Sequence, residues 1–500
     1  MQEGLQTYII AISMPDCVQN ILEILELHGF EAYIVGGCVR DSLLGLKPKD
    51  WDITSNAKPT QIQQIFSNKA NKVNFDIFPI GLKYGTLGIK DKATKQIVEI
   101  TTYRTDGIYK DGRRPESIQF AKTIKDDLSR RDFTINALAC RIIKKDDKKM
   151  QALQMPTIPI NHALELNLKT HNIVSIKTCD MQLVDYYNGL THLKMRIIAC
   201  VGKAEQRFLE DSLRIMRAIR FSAVLPFEFK IHNETKKALQ ALTEKLDCIA
   251  RERIQDEFAK LLCGKYAHNA LTIHQNTILF IMPILKHLTK KQLEHNYKAI
   301  SLAPKNVILR LVLLCCPIPY TKNTNEKNID NYLMRYKATC QYLHFDNKTI
   351  QTSLTLLQLI CNGELLKSNN SKIALKYLLS KYDIQIVWQL VFLYAILQKT
   401  NNFISDSNKD SMESSITKIH NLTNNLTAII LNDECYKLSQ LAINGNILQD
   451  LAKSMGISLQ GRQIGTLLKK LLEYVIEEKI PNDTHILITE SKEYIRNICE

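Results

Sequence analysis

No CxxC pair occurs among the thirteen cysteines, and the closest two, Cys315 and Cys316, are too near for a zinc cluster. The thiols are expected to be free and buried in a reducing cytosol, which argues against a disulfide scaffold. No apolar run is long enough to span a bilayer. The longest, Ile384 to Leu397, contains two glutamines and is expected to be a buried helix. The N-terminal MQEGLQTYIIAISMPD has no basic lead-in to its short apolar run, so it is not expected to be a signal peptide. No internal repeat is evident. These absences point to a cytoplasmic protein with no membrane segment.

What is present fits a multidomain globular chain with a polyanionic partner. Five hundred residues exceed one hydrophobic core, so two to four domains are expected. Lys and Arg number 66 against 51 Asp and Glu, a net charge of +15 that suits electrostatic steering toward nucleic acid.

The chemistry concentrates in GGCVRDSLLGLKPKDWDI, Gly36 to Ile53. Gly36 and Gly37 let the backbone approach a triphosphate closely, the N–H groups of the helix that follows point at negative charge, and Arg40 adds a forked donor. The next segment is expected to be a strand carrying Asp50 and Asp52. Alternate strand residues share a face, so both carboxylates project together toward divalent cations, expected to be Mg²⁺. Such a site suits nucleotidyl transfer by two metal ions. Glu99, in the strand VEITTYR, lies opposite Val98, Ile100 and Thr102 and is a candidate third carboxylate, tuning a metal or accepting the primer hydroxyl proton. Asp211 and Arg214, read as three apart on one helix, display an acceptor beside a donor. That display matches the amino and ring-nitrogen edges of adenine and cytosine and opposes those of guanine and uracil, so a protein helix could choose ATP and CTP. Arg217 and Arg220 continue along the helix, and Arg251, Glu252 and Arg253 are expected to brace the pair.

GGxVRDxLLG followed by DxDI resembles the opening signature of the class II tRNA nucleotidyltransferase (CCA-adding enzyme) and bacterial poly(A) polymerase family. Further blocks follow in family order: Val98–Pro115, Asp127–Ala139, Glu210–Phe221 and Ala250–Leu262. The tail, Leu441–Asn482, is similar to that of bacterial CCA-adding members. The resemblance implies that Arg130, Arg131 and Asp132 contact ribose and phosphates, that Glu210, Asp211 and Arg214 select the base with Glu210 orienting the arginine, and that Arg104–Pro115 is a mobile loop. Arg130 to Asp132 are expected to open an amphipathic helix that turns Ile135, Leu138 and Ala139 inward. Trp51 and Ser212 depart from the family pattern, and Trp51 is expected to pack inward.

The expected fold is α+β: a small polymerase-β-like nucleotidyltransferase head over 1–143, a polar insertion over 144–182, the end of the head and a base-selecting neck over 183–265, a helical body over 266–399, a loop near Thr400 to Ser415, and a tRNA-binding tail over 416–500. The expected activity is template-independent CCA addition to tRNA from CTP and ATP, with pyrophosphate released and no obligatory protein partner. Two readings compete with it: CC-only, A-only or poly(A) addition by the same chemistry, and an inactive RNA-binding helical protein.

Overall fold

In a computed structural model of the chain, residues 5–107, 117–143, 176–317, 326–366, 371–402 and 409–499 are described. They divide into two compact units, Met1–Ile281 and Met282–Glu500. The first holds strands β1 (Gln6–Pro15), β2 (Ala32–Val35), β3 (Asp52–Ser55), β4 (Phe75–Gly81), β5 (Thr86–Asp91), β6 (Ile97–Thr102), β7 (Arg104–Asp106), β8 (Ile118–Phe120), β9 (Leu138–Ile142) and β10 (Ile176–Asp185). Eight of them form one sheet in the order β1-β10-β9-β2-β3-β6-β5-β4, and β7 and β8 pair as a separate ribbon.

Central β2 reads AYIV and is buried along its whole length, as expected of a strand covered on both faces. Helix Asp16–Leu27 lays Val18, Ile21, Leu22 and Leu25 against the sheet at helical spacing. Each such fully buried aliphatic side chain stabilises the fold by about 1.5–3 kcal/mol relative to exposure. In β6 the pattern alternates as expected: Val98, Ile100 and Thr102 are buried while Glu99 is exposed.

One strand of the head goes beyond the sequence reading, and one boundary moves. Strand β1 pairs antiparallel along β10 from Gln6↔Asp185 to Pro15↔Ile176, so the N-terminal apolar run is an edge strand of the head. Residues 176–182 therefore belong to the head sheet rather than to an insertion; residues 144–175 lie outside the described residues. Buried Asp185 then ends the strand by accepting the N–H groups of Tyr187, Gly189 and Leu190.

From Ala204 onward the described residues are helical apart from short connections and the two-residue strand Lys230–Ile231. In the second unit the apolar runs at Leu309–Leu314, Leu354–Ile360 and Leu467–Ile476 fall inside helices Val307–Leu314, Asn347–Cys361 and Gly461–Ile476. Of the loop expected over Thr400–Ser415, Thr400–Asn402 end the helix Ile384–Asn402 and Lys409–Ser415 open the helix Lys409–Leu431, while 403–408 lie outside the described residues. The C-terminal helices close on Leu448, Leu467, Leu471, Leu487 and Ile495. Twelve of the thirteen cysteines are thiols outside any disulfide, and among the described residues no helix is long and apolar enough to cross a membrane.

Candidate active site

Strand β3 begins at Asp52, not at Asp50, which lies in the approach to the strand. The two acids still open to the same solvent-facing side. Trp51 between them is only 3% exposed and packs into the sheet core, as expected, which leaves its neighbours pointing outward. Parallel β6 sets Glu99 opposite Asp52 in the ladder. Asp52 reaches solvent, yet it sits low enough in the cleft that surrounding protein raises its carboxyl pKa. Asp50 raises it further, and Arg131 opposes both. Glu99 is raised by burial of its surroundings and then by Asp52 and Asp50. The three acids thus repel one another. Among the described residues no group of three or more His, Cys, Asp or Glu side chains converges closely enough to hold a metal ion.

The glycine turn faces these acids through Arg131. Gly36 has φ +83°, ψ −128°, a backbone that L side chains avoid, and a Cβ there would lie 2.9 Å from Arg131 Nη1. Arg131 Nε is buried with no hydrogen-bond partner, and its ion pair with Asp127 is long at 3.6 Å. Arg131 therefore keeps donors to spare beside the turn. Arg40 is more fully engaged: its guanidinium donates to Asp41 at 2.9 Å and to Asn136 Oδ1 at 2.6 Å.

Arg130, Arg131 and Asp132 do not open an amphipathic helix. They follow the short helix Ile124–Ser129 and lead through the single turn Thr134–Asn136 into β9, where Ile135, Leu138 and Ala139 are buried as strand and turn residues. Leu138 and Ala139 read as helical spacing only because both sides of β9 are covered. Arg130 forks onto Asp127 Oδ1 at 3.1 and 2.8 Å. Asp127 is fully buried and also accepts Thr54 Oγ1 and the Arg104 N–H. Burial alone would raise its carboxyl, but Arg130 and Arg131 outweigh that and hold it below the usual range. Asp132 accepts four donors: Phe133 N and Asn136 Nδ2 on one oxygen, Arg217 Nε and Nη2 on the other, at 2.6 to 3.0 Å. Those bonds use its acceptor capacity. Burial pushes the group up, and Arg217 and Asn136 bring it far below the usual carboxylate range.

The base-selecting pair also sits differently from expectation. The helix breaks at Asp211, which has extended backbone between helices Ala204–Glu210 and Leu213–Val224. Its Oδ1 accepts the Leu213 N–H at 3.1 Å and its Oδ2 pairs with Arg253 at 3.2 Å, so Arg253 braces it as expected. Arg251 pairs instead with Asp247. Arg214, on the second helix, is held by Glu210 at 3.0 Å and by the carbonyls of Arg207 and Arg130. Glu210 thus orients the arginine, and each member of the pair has its own brace. Arg217 and Arg220 follow one turn apart, on Asp132 and on buried Glu257. Phe221 packs beneath Arg40, Arg217 and Arg220, whose Cζ atoms lie 5.0, 5.6 and 4.1 Å from its ring centre.

Two family profiles match, the "Poly A polymerase head domain" over residues 32–151 and the "Probable RNA and SrmB- binding site of polymerase A" over 228–286. The CCA-adding enzyme of Lactococcus lactis subsp. cremoris strain MG1363 is 30% identical over 482 residues, 95% of this chain and 96% of that one. The chain belongs to the CCA-adding enzyme family. The CCA-adding enzyme of Leuconostoc citreum strain KM20 is 39% identical over 255 residues, a match that spans 51% of this chain and 51% of that one. A crystal structure of the Bacillus stearothermophilus CCA-adding enzyme in complex with CTP covers 96% of this chain and 97% of its own, at TM-score 0.60 and 22% identity, a likeness of fold.

Sequence reasoning for this family member missed Asp127, Asn136, Glu257 and Phe221. Asp127 carried a signal, since an acid followed by arginines three and four residues later forms pairs on one helix face. Phe221 carried one too, four residues after Arg217 on the same helix, whereas Glu257 reaches Arg220 from another helix and had none.

Proposed function

We propose that this chain adds CMP and AMP, from CTP and ATP, to the 3′ end of tRNA without a nucleic-acid template, building the CCA end. The observation that carries the reading is the opposition of three mutually repelling carboxylates, Asp50, Asp52 and Glu99, to an under-partnered Arg131 beside the Gly36 turn. A cluster of acids held together against its own charge fits a divalent cation. Two exposed carboxylates, completed by water and substrate phosphates, suit Mg²⁺. Asp50 and Asp52 would hold it, and when bound it supplies charge neutralisation for the attacking and leaving oxygens.

The chain's own groups supply the rest of the mechanism. The Gly36–Gly37 backbone lets the triphosphate come close, and Arg131 donates to its oxygens. Arg40 and Arg130 are bound to Asn136, Asp41 and Asp127, so they fix the shape and charge of the phosphate wall. Asp132 seats Arg217 and thereby registers the head on the Leu213–Val224 helix. Asp211 and Arg214, braced by Arg253 and Glu210, retain acceptor and donor capacity for the edge of adenine or cytosine. Glu99, with its raised carboxyl, is placed to take the proton as the primer 3′ hydroxyl attacks the α-phosphate and pyrophosphate departs. The enzyme acts in the cytoplasm and needs no protein partner.

The test uses tRNA primers ending at the discriminator base, at C or at CC, each with single NTPs and with pairs, followed by sequencing of the products. CCA completion from CTP plus ATP is expected. Addition that stops at CC, adds only A, or runs on into A tracts would overturn it.

A further inference from the structure

A cavity of about 260 Å³ in the first unit is lined by Lys230, Asn233, Lys236, Asn269 and His274, none of which belongs to the site of Asp50 and Asp52. Phe229, Ile231, Ala270 and Ile273 line it too, and its polar groups are mostly donors. The one lining acid, Glu228, is already engaged by the Asn269 amide at 2.7 Å. Helix Asn233–Ala241 starts at the cavity, and its cap residue His232 gives no side-chain hydrogen bond to the first-turn N–H groups, which carry the positive end of the helix dipole. Glu234, in that turn, is exposed and does not line the cavity.

His274 supplies a second, independent observation. It is 5% exposed, its ring lines the cavity, and its Nδ1 has no hydrogen-bond partner. Burial, and then Lys236, bring its pKa down to about 4, so the ring is neutral at pH 7. A neutral imidazole keeps one N–H, with which it can meet an anion as a donor. Two ammonium groups, an imidazole N–H and an open helix turn ask for an oxyanion. Two lysines against the single acid Glu228 leave the cavity with net positive charge, which favours an anion over a neutral base.

We propose that this cavity seats one backbone phosphate of the RNA primer, through Lys230, Lys236, His274 and the first turn of the Asn233–Ala241 helix. The proposal rests on the reading of tRNA as substrate. A small part of the chain's positive charge then grips the sugar–phosphate chain in register while carrying no sequence information.

The test measures affinity of the full chain for tRNA lacking CCA across a series of salt concentrations. Removing one phosphate contact weakens binding and lowers the slope of log K against log salt by about one. Lys236→Met, which keeps the aliphatic stem, should lower the slope by that amount, and Lys236→Arg should restore it. His274→Gln should weaken binding at every salt concentration. Lys237→Met removes an exposed cation from the same helix without touching the cavity and should leave the slope as it is. Equal slopes for Lys236→Met and wild type, or equal losses for Lys236→Met and Lys237→Met, would overturn the proposal, the latter assigning the effect to a diffuse field. Inorganic phosphate and pyrophosphate form a separate arm. Stabilisation of wild type but not Lys236→Met by either anion, with RNA slopes unchanged, would make the site one for a free anion and overturn the RNA assignment. Nucleotide incorporation is measured on the same samples: absence of incorporation by wild type would remove the proposed function while leaving the slope comparison readable.

Discussion

Asp132→Asn tests how the head is registered on the neighbouring helix. The carboxylate is 8% exposed and accepts two bonds from Arg217 and one each from Phe133 N and Asn136 Nδ2. The amide keeps the shape, loses the charge, and turns one accepting atom into a donor facing donors. Breaking a buried ion pair costs about 3–5 kcal/mol. The Arg217 side chain is 34% exposed and water recovers part of its share, so the lower end applies, about 3 kcal/mol. For a unit of this size about 1 kcal/mol moves the midpoint by roughly 2–4 °C, so calorimetry of the full chain should show the transition of the first unit about 6–12 °C lower. The effect has a pH signature. Because the folded value of Asp132 lies below the unfolded one, its contribution is complete above the ordinary aspartate range near about pH 4 and disappears as pH falls through the depressed folded value. Wild type and Asp132→Asn should therefore differ fully at pH 7 and converge only in strong acid. A variant melting within about 1 °C of wild type at pH 7 would refute the reasoning.

Other outcomes follow from the same geometry. Gly36→Ala places a side chain on a backbone with φ +83° and pushes Arg131 Nη1 from 2.9 Å; it should cost about 1–3 kcal/mol of stability and raise KM for every NTP alike, read by melting and steady-state kinetics. Asp211→Ala and Arg214→Ala should spare triphosphate binding and erode the preference for ATP and CTP over GTP and UTP by roughly 5- to 150-fold, the worth of about 1–3 kcal/mol of buried polar pairing, measured by competitive incorporation. Arg253→Ala, which removes only the brace on Asp211, should give a smaller loss of the same kind. Asp52 has the opposite pH sign to Asp132. Its folded carboxyl value is raised, so ionising it opposes folding above that value and costs nothing below the unfolded one. Asp52→Asn should therefore melt higher than wild type at pH 7.5, with the difference vanishing near about pH 4.

Local signals carried far in this chain. The glycine turn, the inward packing of Trp51 between its two acids and the alternation in β6 depend on neighbours within a few residues and follow the spacing, although Asp50 precedes the strand that carries Asp52. Glu210 and Arg214 came together as the family resemblance implied, and of the three residues expected to brace the pair Arg253 reaches Asp211 while Arg251 turns to Asp247. Long-range pairing was what the sequence concealed. Strand β1 has its partner in β10, some 170 residues on, so nothing local marks it as an edge strand of the head. The Arg130–Ala139 segment reads as an amphipathic helix because apolar residues at i and i+3 also occur in a turn running into a strand covered on both faces. Asp211 leaves the helix because its carboxylate takes the Leu213 N–H, the competition of short acidic side chains with helical backbone that spacing alone does not reveal.

The most direct measurement compares wild type with Asp52→Asn for incorporation of labelled CMP into tRNA that ends at the discriminator base, in magnesium, with folding verified by the melt. Wild type should extend the primer, and Asp52→Asn should fall by about 10³-fold or more, the loss of about 4 kcal/mol of transition-state stabilisation. Turnover by a well-folded Asp52→Asn within about ten-fold of wild type would contradict the assignment of the carboxylates beside Trp51 as the centre of nucleotidyl transfer.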